Sequence, residues 1–140
     1  MWLVYAFLSA IAAALVAIFA KAGLKNIDST LATTIRAVIM AGFLLVTAFA
    51  LKKFHGFSLA SFTHREWFLV FLASIAGALS WLFYFYALKE GAAGKVTAID
   101  RLSLVFVLIL AALFLGEKLS WQAVAGAMLM VSGALLVTLK

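Results

Sequence analysis

The 140-residue chain has no cysteine and no proline, and it has only five acidic residues. The lack of cysteine excludes disulfide bonds, thiolate metal sites and cysteine nucleophiles. The lack of proline means that any break in a helix must come from glycine or from a polar side chain. Paired carboxylates, nucleophile–base sets and glycine-rich phosphate loops are missing as well. We therefore predict that the protein is not an enzyme and that it binds no metal or cofactor.

Long apolar stretches dominate what is present, since hydrophobic residues make up 68% of the chain. Each stretch is about 20 residues long, which is enough to cross a hydrocarbon core of roughly 30 Å. Short connections make sequential helices antiparallel neighbours. The sequence predicts an all-α integral membrane protein that forms one domain, a five-helix bundle over residues 1–140. The predicted spans are residues 2–20, 29–51, 67–88, 96–116 and 121–139.

Helix starts and helix contacts both leave signals in the sequence. A hydroxyl or carboxylate side chain before a helix caps its first N–H groups, and a Thr-x-x-Glu spacing forms a reciprocal capping box. Small residues at helical spacing let helices approach closely in lipid, and Gly126 and Gly133 have this spacing in the fifth span. The predicted capping residues are Thr63 with Glu66, Asp28 or Ser29, and Ser120.

Basic residues outnumber acidic ones by 11 to 5, which gives a formal charge of +6. In a soluble protein such a charge would suggest nucleic acid, but these basic side chains flank apolar spans, where they meet headgroups and anionic lipid. The sequence has no basic stripe interleaved with aromatic residues that would bind a nucleic acid. We therefore predict membrane lipid, and no nucleic acid, as a partner.

The basic residues do not specify an orientation in the membrane. Five spans put the termini on opposite sides, and orientation normally follows an excess of Lys and Arg on the cytoplasmic side. The N-terminal side, side A, has four such residues, and side B has five, or six if Arg101 reaches that interface. A chain with so small an excess can insert both ways and pair with its own inverted copy. Side A holds Lys52, Lys53, Arg65 and Lys118, and side B holds Lys21, Lys25, Lys89, Lys95 and Lys140.

Two charged side chains lie inside predicted spans. Arg36 is roughly 10 Å along the second span, and Asp100 is a turn or more inside the fourth. A charge at the bilayer centre costs about 2.5 to 3.5 kcal/mol, so it tends to face a partner or a wet cavity. Arg36 either has a functional role or snorkels to the interface. Asp100 has either an interior role or a structural ion pair with Arg36 or Arg101, and Arg101 points about 100° away from it.

Helical periodicity puts further side chains on the faces of these two charges and of Trp81. Trp81 lies about 21 Å into the third span, too deep for an interfacial tryptophan. The stripes predict a cavity that is open to side B, polar at its mouth and aromatic at its base, with core packing as the alternative for Trp81 and Tyr84. The predicted faces are three: Asp100 with Thr97, Ser103 and Val107; Arg36 with Ser29, Thr33 and Met40; and Trp81 with Ser74, Gly77 and Tyr84.

Several features occur together along the chain: Tyr84 to Ala93 (YFYALKEGAA), Leu115 to Leu119 (LGEKL), the glycine-rich last span, and the placement of Lys21 and Arg36 in the first two spans. In this order and spacing they resemble the EamA-type repeat of the drug/metabolite transporter superfamily. Many family members carry two such five-helix repeats of opposite topology, which give ten helices around a central substrate path. This sequence has one repeat, and it lacks the prolines that family members often have near Gly91 and Ser103.

The resemblance implies one half of a ten-helix inverted-repeat transporter, with the other half supplied by a second copy of the chain. We expect a secondary transporter, an exporter or permease of the inner (plasma) membrane, that moves a small metabolite or drug-like solute by alternating access as an antiparallel homodimer. The alternative is a non-transporting structural subunit, or a half-transporter that needs a different partner chain. The expected substrate-path residues are Arg36 for an anionic or zwitterionic group, Asp100 as its partner or a coupling carboxylate, Trp81 and Tyr84 for apolar parts, and Ser103, Lys21 and Arg101 as further members.

Overall fold

The computed structural model describes residues 1–55, 58 and 62–139, and over these residues it contains helices and no strand. The helices are α1 (Trp2–Gly23), α2 (Ser29–Ala50), α3 (His64–Glu90), α4 (Ala93–Asp100), α5 (Ser103–Leu110), a π-helical segment (Ala111–Leu115) and α6 (Trp121–Thr138). Within the described residues, five stretches can cross a membrane by length and composition, with α4, α5 and the π-helical segment taken as one. The prediction of an all-α protein with five membrane-length spans is confirmed.

The helix bounds differ from the predicted spans mainly in the third and fourth. α3 has 27 residues and is therefore roughly 40 Å long, which exceeds a hydrocarbon core of about 30 Å. It extends past the predicted span at both ends. The fourth span begins at Ala93, three residues earlier than predicted. Lys140, one of the side B cations, lies outside the described residues.

Side-chain caps begin the second, third and fifth spans, as predicted. Asp28, rather than Ser29, caps α2. Before α3, the backbone N–H of Thr63 donates to Glu66 Oε2 at 2.8 Å, and the N–H of Glu66 donates to Thr63 Oγ1 at 3.3 Å. At α6, Ser120 Oγ accepts from the N–H of Ala123 at 3.1 Å. Each cap satisfies backbone donors that have no carbonyl partner within the helix.

The fourth span is not one regular helix. α4 ends at Asp100 and α5 begins at Ser103, with a turn at Arg101 and Leu102 between them. At this turn the N–H of Leu102 donates to Ile99 O at 2.9 Å, and an i to i−3 bond of this kind tightens the backbone. The sequence has neither proline nor glycine at the break, so the one polar residue of the turn, Arg101, is the local feature that distinguishes it.

The same span ends in a wider turn. After the π-helical segment, Gly116 adopts a φ of 68°, and the N–H of Glu117 donates to Ala111 O at 3.2 Å. This left-handed conformation is favourable for glycine because it has no Cβ to meet the backbone. Gly116 therefore ends the helix where the LGEKL stretch begins the connection to α6.

The chain divides into two compact units. The first unit contains residues 1–22 and 90–140 and so most of α1, with α4, α5, the π-helical segment and α6; the second contains residues 23–89 and so α2 and α3. In the first unit, α4 packs along α6. The residues that α6 buries are Ala127 and Ala134, which share one face because they are seven residues apart.

The prediction that Gly126 and Gly133 make the close contact of α6 is wrong within the chain. A Cβ added to either glycine would meet no atom within 4 Å. Both glycines lie one position before a buried alanine, so they are rotated about 100° away from the buried face. The small residues were therefore correctly recognised as a contact signal, but the contacting face is offset by one residue.

The Asp28 cap makes the start of α2 sensitive to acid. Hydrogen bonds from the backbone N–H groups of Leu31 and Thr30, at 3.0 and 2.9 Å, together with the positive charge of Lys89, hold the pKa of the Asp28 carboxyl below its ordinary value. A carboxyl whose pKa is lower in the folded state stabilises the fold above its unfolded pKa of about 3.9 and loses this effect as the pH falls through the folded value.

We therefore expect the thermal unfolding temperature of the wild-type protein in neutral detergent to fall below about pH 4 more steeply than that of Asp28→Asn. The Asn side chain keeps the capping oxygen and does not titrate. Asp28→Ala should be less stable than wild type at neutral pH because the cap is lost. Identical acid profiles for the wild type and Asp28→Asn would contradict this role of the carboxylate.

Candidate functional site

The first half of α2 brings polar groups into an apolar helix. Ser29 is 1% exposed and Thr33 is 7% exposed, and the Thr33 hydroxyl donates to Ser29 O at 2.7 Å. The Thr34 hydroxyl donates to Thr30 O at 2.8 Å in the same way. Such bonds to the carbonyl one turn earlier satisfy a hydroxyl where water is scarce. α2 can thus carry polar side chains at a depth at which an unpaired donor would be costly.

Arg36 lies two turns into α2 and is held by aromatic rings of α3. Its Cζ is 3.6 Å from the centre of the Trp81 ring system and 5.5 Å from the centre of the Phe85 ring. Trp81 meets Tyr84 edge-on at a centroid distance of 5.6 Å and Phe85 at 6.0 Å. Phe85 is only 3% exposed. The rings therefore form a packed aromatic base, and the guanidinium lies against its indole face.

This stacking stabilises the cation only in part. A cation over an aromatic face is stabilised by roughly 0.5 to 2 kcal/mol. Placing an arginine at the centre of a membrane helix costs about 2.5 to 3.5 kcal/mol. In the described part of the second unit, Arg36 has no ion pair and donates no hydrogen bond. Its five N–H donors are therefore available to a ligand or to water.

A cavity of about 690 Å³ in the second unit opens around this pair. It is lined from Thr30 to Leu44 along α2, a length of roughly 21 Å, or about two thirds of a hydrocarbon core. Its volume lies within the range of about 300 to 1,000 Å³ that is common for small-molecule sites. The lining includes six residues of the two predicted stripes, Thr33, Arg36 and Met40 from α2 and Ser74, Gly77 and Trp81 from α3. The other two members of those stripes, Ser29 and Tyr84, are not in the lining.

The two helices of this unit run antiparallel. Thr30 Oγ1 and the hydroxyl of Tyr86 are 2.5 Å apart, near the start of α2 and the end of α3. Arg36 and Trp81 meet further along α2 and correspondingly earlier on α3. The Thr30–Tyr86 hydrogen bond therefore ties the side B end of the cavity, and the Arg36–Trp81 stack lies deeper.

The structure brings together some of the predicted site residues and distributes the others. Arg36 and Trp81 line one cavity, and Tyr84 supports Trp81 from outside that lining. Lys21, Asp100, Arg101 and Ser103 belong to the first unit. The transport roles of all seven residues stay predictions, and so does a pairing of Arg36 with Asp100.

In the first unit the predicted residues have separate surroundings. Lys21 Nζ donates to Gly91 O at 2.8 Å, which ties the end of α1 to the turn before α4. Asp100 and Ser103 flank the break between α4 and α5 and are exposed. Arg101 lines a smaller crevice of about 380 Å³ together with Ala17 and Thr97.

Two contributors to the site were missed from the sequence. Phe85 was detectable, because it is four residues after Trp81 and so lies on the same helical face. Tyr86 was not, because its partner Thr30 is 56 residues away and no local pattern links the two. The Phe85 ring packs against Trp81, and the Tyr86 hydroxyl contacts Thr30 at one end of the cavity lining.

Comparison with known proteins gives these features a family context. Residues 1–139 match the EamA-like transporter family. The chain belongs to this family. EamA proteins are membrane transporters, so the chain is a multi-pass membrane transporter, and its family points to transport rather than to catalysis. No solved structure matches the chain significantly.

Two relatives of this EamA protein have different lengths. An uncharacterized transporter in the cobO 3' region of Sinorhizobium sp is 40% identical over 136 residues, which cover 97% of this chain and 95% of that protein. The uncharacterized transporter YvbV of Bacillus subtilis (strain 168) is 28% identical over 138 residues, which cover 94% of this chain but 43% of that protein. One relative is thus matched over nearly its whole length and the other over less than half.

The Arg36–Trp81 contact can be tested with a double-mutant cycle. We expect Arg36→Met and Trp81→Leu to show a coupling free energy of roughly 0.5 to 2 kcal/mol in equilibrium unfolding in detergent, because each change removes the same cation–π contact. Trp67→Leu is the matched control, since Trp67 lies on the same helix about 21 Å from Trp81. Coupling of Arg36→Met to Trp67→Leu as large as to Trp81→Leu would contradict a direct contact.

Proposed function

We propose that this EamA protein is a secondary transporter of the inner (plasma) membrane that works as an antiparallel homodimer by alternating access. Its cargo is a small metabolite or drug-like solute. The observation that carries this proposal is the cavity at Arg36, which runs along about two thirds of a span and holds a cation without a carboxylate partner in its lining. Intramembrane charges facing cavities are typical of substrate pathways.

The homodimer follows from the size of the repeat. Inverted-repeat transporters form their substrate site near the midplane, between two halves of opposite topology. This chain supplies one five-helix unit, and YvbV, matched over 43% of its length, has room for a second. A second copy of the chain, inserted the other way up, would supply the missing half.

The charge distribution supports insertion both ways. Side A and side B differ by a single basic residue, or by two with Arg101. Two of the side B lysines also bind protein carbonyls: Lys21 Nζ donates to Gly91 O at 2.8 Å, and Lys95 Nζ donates to Thr138 O at 3.4 Å.

The break between α4 and α5 supports a role in alternating access. Discontinuous membrane helices in transporters often border the binding site, because a broken helix exposes backbone groups and can bend. Asp100 ends α4 and Ser103 begins α5. In the proposed mechanism Asp100 titrates as the coupling carboxylate or pairs with a cation, and the turn at Arg101 and Leu102 is where the span flexes.

Orientation can be measured with reporters on the C-terminus, which lies on side B. We expect a periplasm-active phosphatase and a cytoplasm-active fluorescent protein both to give signal with the wild-type chain. Lys52→Ala with Lys53→Ala should place side B in the cytoplasm, because it leaves two basic residues on side A against five on side B. Lys25→Ala with Lys89→Ala is the matched control: it leaves four basic residues on side A against three on side B, so this variant should still insert both ways. Signal from one side only, in the wild type and in both variants, would exclude dual insertion and favour a subunit that needs a different partner.

The transport role of Asp100 is tested on the purified protein. Compounds that raise its thermal unfolding temperature identify ligands, because binding to the folded state stabilises it by mass action, and flux of these ligands into liposomes is then measured. We expect Asp100→Asn to reduce flux at least tenfold while ligand binding persists, with Glu117→Gln as the control in a connecting turn. A wild-type rate in Asp100→Asn would remove Asp100 from the mechanism.

A further inference from the structure

The geometry points to a substrate class for the Arg36 cavity: a small organic monoanion, a carboxylate or an equivalent singly charged acid, with an apolar body. This inference deepens the proposed transport function and rests on it. The sequence alone left open whether Arg36 binds an anionic or a zwitterionic substrate group.

The stack on Trp81 leaves the edge of the guanidinium accessible. A Cζ distance of 3.6 Å from the ring centre is van der Waals contact with the ring face. The N–H donors of arginine lie in the guanidinium plane, in a fork that matches the two oxygens of a carboxylate. Face contact with the indole and edge contact with an anion can therefore exist together, and the indole orients the fork before a ligand arrives.

Three hydroxyls of the lining do not compete as donors. The hydroxyl hydrogens of Thr33, Thr34 and Ser74 are donated to backbone carbonyls one turn earlier, at 2.7, 2.8 and 2.8 Å. These hydroxyls offer the cavity only oxygen lone pairs. The lining thus presents one charged donor group, Arg36, which suits one anionic group.

The charge of the lining distinguishes a monoanion from a zwitterion or a cation. No carboxylate is among the described residues that line the cavity. A substrate ammonium would find only neutral hydroxyl oxygens there, next to the positive charge of Arg36. Beyond Arg36 the lining is apolar, with Met40, Leu44 and Leu82 among its members, so the body of the ligand is apolar. Arg36 lies roughly 10 Å inside the start of α2, below the level of lipid headgroups.

Four compounds that share a phenylalkyl body and differ in charge test this assignment: 3-phenylpropanoate, its amide, 3-phenylpropylamine and phenylalanine. Thermal unfolding of the full chain in neutral detergent reports binding. We expect 3-phenylpropanoate to raise the unfolding temperature most and to bind at least roughly tenfold more weakly to Arg36→Gln. Arg65→Gln, a matched change at the start of α3, should bind it as the wild type does.

A second measurement on the wild-type protein does not depend on a folded Arg36 variant. Binding of 3-phenylpropanoate should weaken as the pH falls through the pKa of the ligand's own carboxyl, while the weak effect of the amide stays constant. The inference is overturned if the amine or phenylalanine binds as tightly as the anion. It is also overturned if 3-phenylpropanoate gives no shift at millimolar concentration, or if phosphatidylglycerol added to the micelles displaces it and takes the site itself.

Flux into liposomes separates this inference from the proposed function. Arg36-dependent binding of 3-phenylpropanoate without flux would keep the ligand class and reject transport. Flux of the amine or of phenylalanine without binding of the anion would keep transport and reject the ligand class.

Discussion

A guanidinium inside an apolar span is the constraint on which the second unit depends. Arg36 cannot move to the start of α2 without leaving a span too short to cross the bilayer, since only residues 37–50 would follow it. Its charge must therefore be accommodated within the hydrocarbon layer. The indole face of Trp81 does this by contact at 3.6 Å, and the buried Phe85 ring behind Trp81 keeps the indole in place. The stack recovers only part of the cost of the charge, and in the proposed function an anionic ligand would supply the rest.

The need of every backbone polar group for a hydrogen-bond partner is a second constraint, and it applies to both units. In lipid every N–H and C=O needs a partner within the protein, and this explains why Asp28, Thr63 and Ser120 precede helices. It also explains Lys21 and Lys95, whose ammonium groups bind carbonyls near helix ends at Gly91 and Thr138. Cations near a helix C-terminus are favourable because of the partial negative charge there. These two basic residues that flank the spans thus have structural partners in the protein.

Sequence reasoning was most successful where a feature depends on local spacing. Span lengths, the Thr63–Glu66 capping box and the faces of Arg36 and Trp81 all follow from residues a few positions apart, and the helix bounds and the cavity lining agree with them. It failed where two distant segments decide the outcome. Tyr86 meets Thr30 across 56 residues. The buried face of α6, that of Ala127 and Ala134, depends on helices that are distant in sequence, which composition alone cannot reveal. The break at Arg101 was missed because no proline or glycine marks it.

The position of the cavity within the span gives the antiparallel arrangement a physical consequence. In the proposed antiparallel pair, each copy would have the Thr30 end of its cavity toward side B, where the sequence predicts the mouth, and its Arg36 deeper in the layer. In an antiparallel pair, one mouth faces each side of the membrane, and a two-fold axis in the membrane plane relates the copies. If the two copies adopt different conformations, exchanging those conformations produces a complex that is identical but opens to the opposite side. The inward-open and outward-open states of such a pair have equal intrinsic energies, so a substrate gradient or coupling ion, and not the protein, would set the direction of transport.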